Sequence, residues 1–144
     1  MAEQTPTQGN AQVQRAPKGS GSAAEKAVTR SRFVLKQSAV VDAAGEITID
    51  LGTVPSGKEW EIERYSIHCT SPVQTEFAIY ADIVTPVNRK DFTPIGNDNV
   101  ADNSSPIWCS GGQNVIAHWD DVAAVDGLGV PCVGSINLQV VEVG

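Results

Sequence analysis

Few residues in this sequence could carry out acid–base or nucleophilic chemistry. Its 144 residues include two histidines, three cysteines and one methionine. Neither His68 nor His118 falls in a hydrolase motif, because the chain has no G-x-S-x-G segment and no Cys-His signature. Alternation of apolar and polar residues places both imidazoles on the outer side of a strand. We therefore predict a protein that is not an enzyme, has no catalytic residues and uses no cofactor.

The cysteines are too few and too widely spaced for a disulfide framework or a zinc knuckle. Cys69, Cys109 and Cys132 are odd in number and form no C-x-x-C pair, so buried free thiols are expected. The oxygen-rich segment 97–103 lacks the spacing of a calcium loop, and turn chemistry accounts for its Asn and Asp residues equally well. We predict no metal site; if one exists, its candidate ligands are Asp98 and Asp102.

The sequence also lacks long apolar runs and an excess of positive charge. No run approaches the roughly 18 apolar residues that span a bilayer, and the first residues do not form a secretory signal. The net charge is −7, and the six basic and fifteen acidic residues from Arg32 onward give −9. Such a body repels phosphates and anionic lipid headgroups, so neither nucleic acid nor membrane is an expected partner.

The N-terminal segment differs in composition from the rest of the chain. Up to residue 22 it is rich in Gln, Pro, Gly, Ser and Thr, and Met1 and Val13 are its only sizeable apolar residues. It buries too little apolar surface to offset its ordering entropy, so we predict a flexible arm over residues 1–31 that a neighbouring chain orders. The residues expected to contact that partner are Gln12, Val13, Arg15, Lys18 and Arg30.

The remainder, residues 32–144, is predicted to form one all-β domain. Apolar and polar residues alternate in several segments; Ile47, Ile49 and Leu51, for example, share one side of a strand. About eight short strands separated by turns are typical of a two-sheet antiparallel β-sandwich, of the jelly-roll kind. Further positions predicted to face inward are Phe77, Ile79, Ala81, Ile83, Val115, Ala117, Ile136, Leu138 and Val140.

Two segments depart from simple alternation. The apolar phase changes between Ile62 and Tyr65, which predicts a β-bulge at Glu63 and Arg64. Residues 85–105 are dense in Pro, Asn, Asp and Gly, and are predicted to be a pair of loops around a short strand. In the same strand, Glu59, Glu61 and Glu63 occupy alternate positions and are expected to form a solvated acidic stripe.

Aromatic residues offer a candidate ligand-binding surface. Trp60 and Trp119 are in the inward phase and are predicted to be core residues. Trp108 is ambiguous because both of its neighbours, Ile107 and Cys109, are apolar. Exposed aromatic rings stack on sugars, so Trp108 and Tyr80, together with the segment 88–105, could form a glycan-binding surface.

Four segments resemble a known class of proteins. VPSGKEWEIERYSI, GNDNVADNSSPIW, SGGQNVIAHWDD and NLQVVEV occur in this order. Over residues 45–143, the chain resembles small β-sandwich proteins encoded among the virion genes of tailed bacteriophages. This resemblance implies a structural protein, of the head decoration, minor capsid or minor tail type, sometimes with a lectin-like surface, and it supplies no catalytic residue.

These observations predict a capsid-surface decoration or minor capsid protein. The arm and the sandwich surface would dock on the major capsid protein or another virion protein, and the protein would form homo-oligomers. It would be made in the host cytoplasm and reside in the virion. The alternative is a minor tail or receptor-binding module that displays a sandwich surface to a host surface glycan.

Overall fold

The computed structural model describes residues 29–144, and for residues 103–105 it describes only the backbone. These residues contain eight β-strands and one short 3₁₀ helix (Pro86–Asn88). The strands are β1 (Arg30–Val40), β2 (Ile47–Thr53), β3 (Glu59–Cys69), β4 (Glu76–Ala81), β5 (Arg89–Thr93), β6 (Asp98–Ser110), β7 (Asn114–Asp120) and β8 (Val133–Val143). Among the described residues, no helix is long and apolar enough to cross a membrane.

The strands form two four-stranded sheets, which confirms the predicted β-sandwich. One sheet has the order β1-β8-β3-β6 and the other β2-β7-β4-β5, and all neighbouring strands are antiparallel. Apart from β4 and β5, strands that follow one another in the chain lie in different sheets. This order over eight strands is that of a jelly roll.

The core lies between the sheets, where the predicted alternation is confirmed. Ile47, Ile49 and Leu51 are all buried, since every second residue of a strand faces the opposite sheet. Trp60 and Trp119 are core residues as predicted. The other inward positions that are buried as predicted are Phe77, Ile79, Ala81, Val115, Ala117, Ile136, Leu138 and Val140.

The predicted bulge in β3 is confirmed. The register of β3 with β8 shifts between Ile62 and Arg64, where Glu63 is the extra residue between the pairs Ile62–Val140 and Arg64–Gln139. The register with β6 shifts at the same place, but there the additional residues, 103–106, are on β6. Because the bulge restores the phase, both Ile62 and Tyr65 face inward and are buried.

Three details of the strand prediction are wrong. Residues 97–103, expected to be a loop, belong largely to β6, which begins at Asp98; β6 lies at a sheet edge, where polar residues are tolerated. The sequence pattern predicts two strand segments, 33–37 and 39–42, but they are a single strand, β1, which already begins at Arg30. Ile83, predicted to be inward, is exposed, because β4 ends before Asp82, whose φ is 72°.

All three cysteines of the chain are free and buried. Burial raises the pKa of the Cys69 and Cys109 thiols. A thiol with a raised pKa contains little thiolate, which is the reactive form. These residues therefore act as small apolar core side chains.

Tyr65 is a buried residue whose ionisation links stability to pH. Its hydroxyl donates a hydrogen bond to Asp91 (2.8 Å) from the core side of β3. Burial, and then the hydrogen bond and the charge of Asp91, raise the pKa of Tyr65. The folded protein therefore keeps a proton on Tyr65 that the unfolded chain loses above about pH 10.

We expect the free energy of unfolding to fall as the pH rises above about 10, the ordinary pKa of tyrosine. The unfolded state then binds fewer protons than the folded state, which favours unfolding; below this pH the contribution of Tyr65 is fully present. Urea titrations at several alkaline pH values would measure the slope. In Tyr65→Phe the slope should become shallower; an equally steep slope in that variant would contradict the assignment to Tyr65.

Candidate interaction surface

Four connections meet at one end of the sandwich, which we call the loop end: residues 41–46, 70–75, 94–97 and 121–132. They are joined to one another by backbone hydrogen bonds. Gly96 donates to Thr75 (2.9 Å) and Val122 donates to Gly45 (2.9 Å). The Ala123 N–H donates to the Ser71 hydroxyl (3.1 Å) and so joins these two pairs of connections, which together form one hydrogen-bonded surface instead of four independent loops.

Asn97 links two of these connections through its side chain. Its Oδ1 accepts hydrogen bonds from the backbone N–H (2.8 Å) and hydroxyl (3.1 Å) of Thr75. Its Nδ2 donates to the carbonyl oxygens of Ser71 (3.0 Å) and Val73 (2.8 Å). Asn97, predicted to lie in an oxygen-rich loop, is therefore a structural hydrogen-bonding residue.

The loop end carries several exposed apolar side chains. Leu128 is the most exposed, at 89%. The others are close to half exposed and come from the end of β1 and three connections: Val40, Val73, Ile95, Val125 and Val130. Several exposed apolar side chains at one end of a domain are typical of a surface that binds another protein.

The segment that carries Leu128 is held by a tight turn. The Asp126 carboxylate accepts hydrogen bonds from the backbone N–H groups of Leu128 (2.7 Å) and Val130 (3.0 Å). The Asp126 N–H donates to the Val130 carbonyl oxygen (2.7 Å), and Val125 pairs with Pro131 in a β-bridge. Leu128 is thus presented on a defined backbone, which lowers the entropy lost when a partner covers it.

The opposite end of the sandwich has a smaller apolar group. Its exposed side chains come from the connection between β4 and β5: Ile83, Val84 and Val87. Val87 is 86% exposed, close to the value for Leu128. It therefore offers a matched position for comparing the two ends.

Ion pairs cross the outer face of the β1-β8-β3-β6 sheet. Arg30 contacts Glu61 (3.3 Å), and Arg32 contacts Glu63 through two hydrogen bonds of 3.3 Å. Two glutamates of the predicted acidic stripe, Glu61 and Glu63, are therefore paired with arginines. These ion pairs join β3 to β1, and alternation within one strand could not predict them. Arg30, one of the predicted partner contacts, lies at the start of β1.

A shallow groove of about 490 Å³ crosses the same face. Its floor includes Asn137, whose Oδ1 is buried and has no hydrogen-bond partner among the described residues. No Trp, Tyr or Phe ring lines the groove. Ile67 and Ile136 also line it, but most of the side chains around it are polar, among them Lys36, Ser38, Ser66, His68, Asp98 and Ser135.

The structure does not bring the other predicted site residues together. Trp108 is 39% exposed on β6, whereas Tyr80 is 8% exposed and lies on β4 in the other sheet. Asp98 and Asp102 are four positions apart on β6, a separation of about 13 Å, and Asp102 pairs with Arg64 (3.1 Å). The remaining predicted contacts, Gln12, Val13, Arg15 and Lys18, lie outside the described residues.

The two histidines lie in different sheets and in different environments. His68, on β3, is exposed as predicted. His118, on β7, was expected at the surface but is only 4% exposed. It points outward, and the ring of Tyr80 lies edge-on against it, with centroids 6.1 Å apart. Alternation gives the direction of a side chain but not whether neighbouring strands cover it.

No family model matches the chain, and neither does any curated protein. Similar solved structures include the virus-like particle of the extra small virus of the giant freshwater prawn Macrobrachium rosenbergii: identity is 11%, 87% of this chain and 86% of that chain are covered, and the TM-score is 0.34. For the structure of the Gx strain of infectious bursal disease virus, identity is 11%, 89% of this chain and 39% of that chain are covered, and the TM-score is 0.31. For the VP2 subviral particle of infectious bursal disease virus, identity is 11%, 96% of this chain and 48% of that chain are covered, and the TM-score is 0.23. The chain spans less than half the length of each chain from infectious bursal disease virus.

Proposed function

We propose that this protein is a non-enzymatic structural subunit of a virion, and that the loop end is its docking surface. In the specific form of the proposal it is a capsid-surface decoration or minor capsid protein of a tailed bacteriophage. Its partner is another virion protein or a second copy of itself. The predicted arm, residues 1–31, whose last two residues already belong to β1, acts as a second contact that reaches the neighbouring subunit.

The observation that carries the proposal is the apolar loop end. Exposed apolar side chains from different connections are held at fixed positions by hydrogen bonds, as a protein-binding surface requires. A jelly roll is a domain that viral capsids use, although fold alone does not specify function. The separation of His68 and His118 on different sheets, and the burial of every cysteine, support a role without catalysis.

Leu128→Asp is expected to weaken incorporation of the protein into particles by tenfold or more, the effect of losing about 1.4–2 kcal/mol of binding energy. A charge at an apolar contact must lose its water without gaining a partner. The fold should survive, because substitution of a residue this exposed changes stability by about 0.5 kcal/mol or less. Sedimentation of particles assembled with each variant measures the incorporated fraction, and urea unfolding checks the fold.

Val87→Asp is the matched control, since Val87 is equally exposed at the other end. It should incorporate as the unmodified chain does. Normal incorporation of Leu128→Asp, or equal losses in both variants, would overturn the loop end as the docking surface. A chain lacking residues 1–22 in the same assay tests the arm, and its normal incorporation would remove the arm from the proposal.

The alternative function, glycan binding by a tail or receptor-binding module, now depends on Trp108. Tyr80 cannot join it in one platform, because the two residues lie on different sheets and Tyr80 is buried. Trp108 is opposite Glu61 on the neighbouring strand, on the outer face of the sheet. A single half-exposed ring supports this function less well than the loop end supports docking.

A further inference from the structure

A row of carboxylates crosses the outer face of the β2-β7-β4-β5 sheet where β7 ends. Asp120 is opposite Glu76 of β4 in the strand register. On the other side of Asp120 is Glu46, which immediately precedes β2. Three negative residues thus lie side by side on neighbouring strands. The Lys and Arg ion pairs that the described residues form are all on the other sheet.

His118 lies beside this row with its ring almost fully buried. Its Nε2 is 3.1 Å from Oδ1 of Asp120 and 3.6 Å from Oε1 of Glu46. Its Nδ1 is 2.9 Å from the hydroxyl of Thr48, its partner in the strand register. One ring nitrogen is therefore directed at two carboxylates while the other is held by a hydroxyl.

A hydrogen bond from Nε2 can satisfy only one of the two carboxylates. Nε2 can carry one proton and can donate it to one of the two carboxylates. The second carboxylate then faces the negative charge of the first at the rim of a buried ring, and Asp120 also has Glu76 beside it on β4. A cation bound between the two carboxylates and Nε2 would neutralise this repulsion.

The three donor atoms fit a small divalent cation. They lie within 4.8 Å of one another. Zn²⁺ binds histidine nitrogen and carboxylate oxygen at about 2.0–2.2 Å, so the ligand atoms of a tetrahedral site are about 3.4 Å apart. The observed distances of 3.1 and 3.6 Å from Nε2 lie on either side of this value.

We propose that Glu46, His118 and Asp120 form a Zn²⁺ site. Nε2 of His118 and one oxygen from each carboxylate are the three protein ligands, and the fourth position faces solvent, as in zinc sites with three protein ligands. With Nε2 bound to the ion, Nδ1 carries the proton of the neutral ring and donates a hydrogen bond to the Thr48 hydroxyl 2.9 Å away, the outer-shell contact that a metal-binding histidine usually makes. The mixture of one imidazole and two carboxylates favours zinc over calcium or magnesium, which bind oxygen alone.

The backbone around Glu46 is already fixed for this role. The Glu46 N–H donates to the Asp42 carboxylate (2.9 Å), and the Glu46 carbonyl oxygen accepts from the Asp42 N–H (2.8 Å). Glu46 ends one connection of the loop end and Asp120 immediately precedes another. A bound ion would therefore tie together two connections of the docking surface, although the site does not depend on the proposed virion role.

Titration calorimetry of the metal-free full-length chain with ZnCl₂ tests the site. We expect one Zn²⁺ per chain, a rise in Tm with Zn²⁺, and no comparable effect of MgCl₂ at the same concentration. Glu46→Gln and Asp120→Asn should each weaken Zn²⁺ binding by about tenfold or more. Asp121→Asn is the matched control, because Asp121 is an exposed neighbour with φ of 63°, a conformation that Asn tolerates. Its affinity should be unchanged.

Histidine NMR gives a second readout that does not depend on the variants. The chain has two histidines, so Zn²⁺ should shift the imidazole signals of His118 and leave those of His68 in place. Unchanged affinity in both Glu46→Gln and Asp120→Asn would overturn the proposal, since it would place the ion elsewhere, for example on a cysteine. A shift of His68 alone, or no saturable binding to the unmodified chain, would also overturn it.

Discussion

Trp119→Ala is expected to lower the free energy of unfolding by about 3–5 kcal/mol, the cost of removing a fully buried tryptophan. The ring has no solvent exposure and packs against Phe77, with centroids 4.7 Å apart. Its Nε1–H donates to the carbonyl oxygen of Gly96 (2.8 Å). Alanine would leave a cavity between the sheets and a carbonyl oxygen without its partner.

Two residues that line the Trp119 site have no side chain with which to fill the space that the ring would leave. A Cβ at Gly96 would lie 3.0 Å from the Trp119 ring, and a Cβ at Gly134 would lie 3.1 Å from it. These two glycines leave room for the ring, and they have no side chains that could move into the cavity. The loss should therefore fall in the upper part of the stated range.

Urea unfolding followed by circular dichroism measures this loss, and Trp108→Ala is the control. Trp108 is part-exposed on the outer face of its sheet, so its removal should cost about 1 kcal/mol or less. A typical total stability is about 5–15 kcal/mol, so Trp119→Ala removes a substantial part of it. Equal losses in the two variants would contradict the assignment of Trp119 to the core.

Asn97→Ala is expected to cost about 3 kcal/mol, because its side chain makes four hydrogen bonds that each contribute roughly 0.5–1.5 kcal/mol. Two of these bonds satisfy the N–H and hydroxyl of Thr75, which is fully buried. The other two hold the carbonyl oxygens of Ser71 and Val73. Water cannot reach the Thr75 groups without opening the loop end.

The same variant should loosen one part of the docking surface. Amide hydrogen exchange at Thr75 should become faster, while exchange in the core strands should follow the global loss of stability. Asn88→Ala is the control, since the Asn88 side chain makes one hydrogen bond, to the carbonyl oxygen of Ala81 (2.8 Å) at the opposite end. That change should cost about 1 kcal/mol. If the two asparagine variants lost the same stability, the structural role assigned to Asn97 would be wrong.

The strands and the bulge could be predicted from the sequence because both are expressed in local alternation. Ile47, Ile49 and Leu51 are two positions apart, and this period directly reports one buried face. The phase change between Ile62 and Tyr65 is likewise local, and an extra residue is the simplest way to restore the inward face. Both can be predicted without knowing which strand is the neighbour in the sheet.

Features that depend on the neighbouring strand were not predictable in the same way. The Asn and Asp residues around Asp98 indicate turns when read alone, yet pairing with β3 makes them part of a strand. His118 has the alternation of a surface residue, and its burial comes from side chains of other strands. Trp108 and Tyr80 were grouped by residue type, but the order of strands in the sheets separates them.

The candidate metal ligands show the same limit. Histidine and aspartate two positions apart on one strand, His118 and Asp120, are a local signal of side chains on one face. Nothing nearby in the chain indicates Glu46 or Thr48, which are about 70 residues away and reach His118 through the pairing of β2 with β7.

The first and last strands described here are partners, and Arg30 is paired with Val143. Because β8 also pairs with β3, it occupies the interior of its sheet and separates β1 from the remaining strands. The ribosome must therefore synthesise β8 before this sheet can close, and β1 has no partner strand in its sheet until then. Such distant pairing makes folding slow, and the incomplete chain exposes strand edges to aggregation in the meantime.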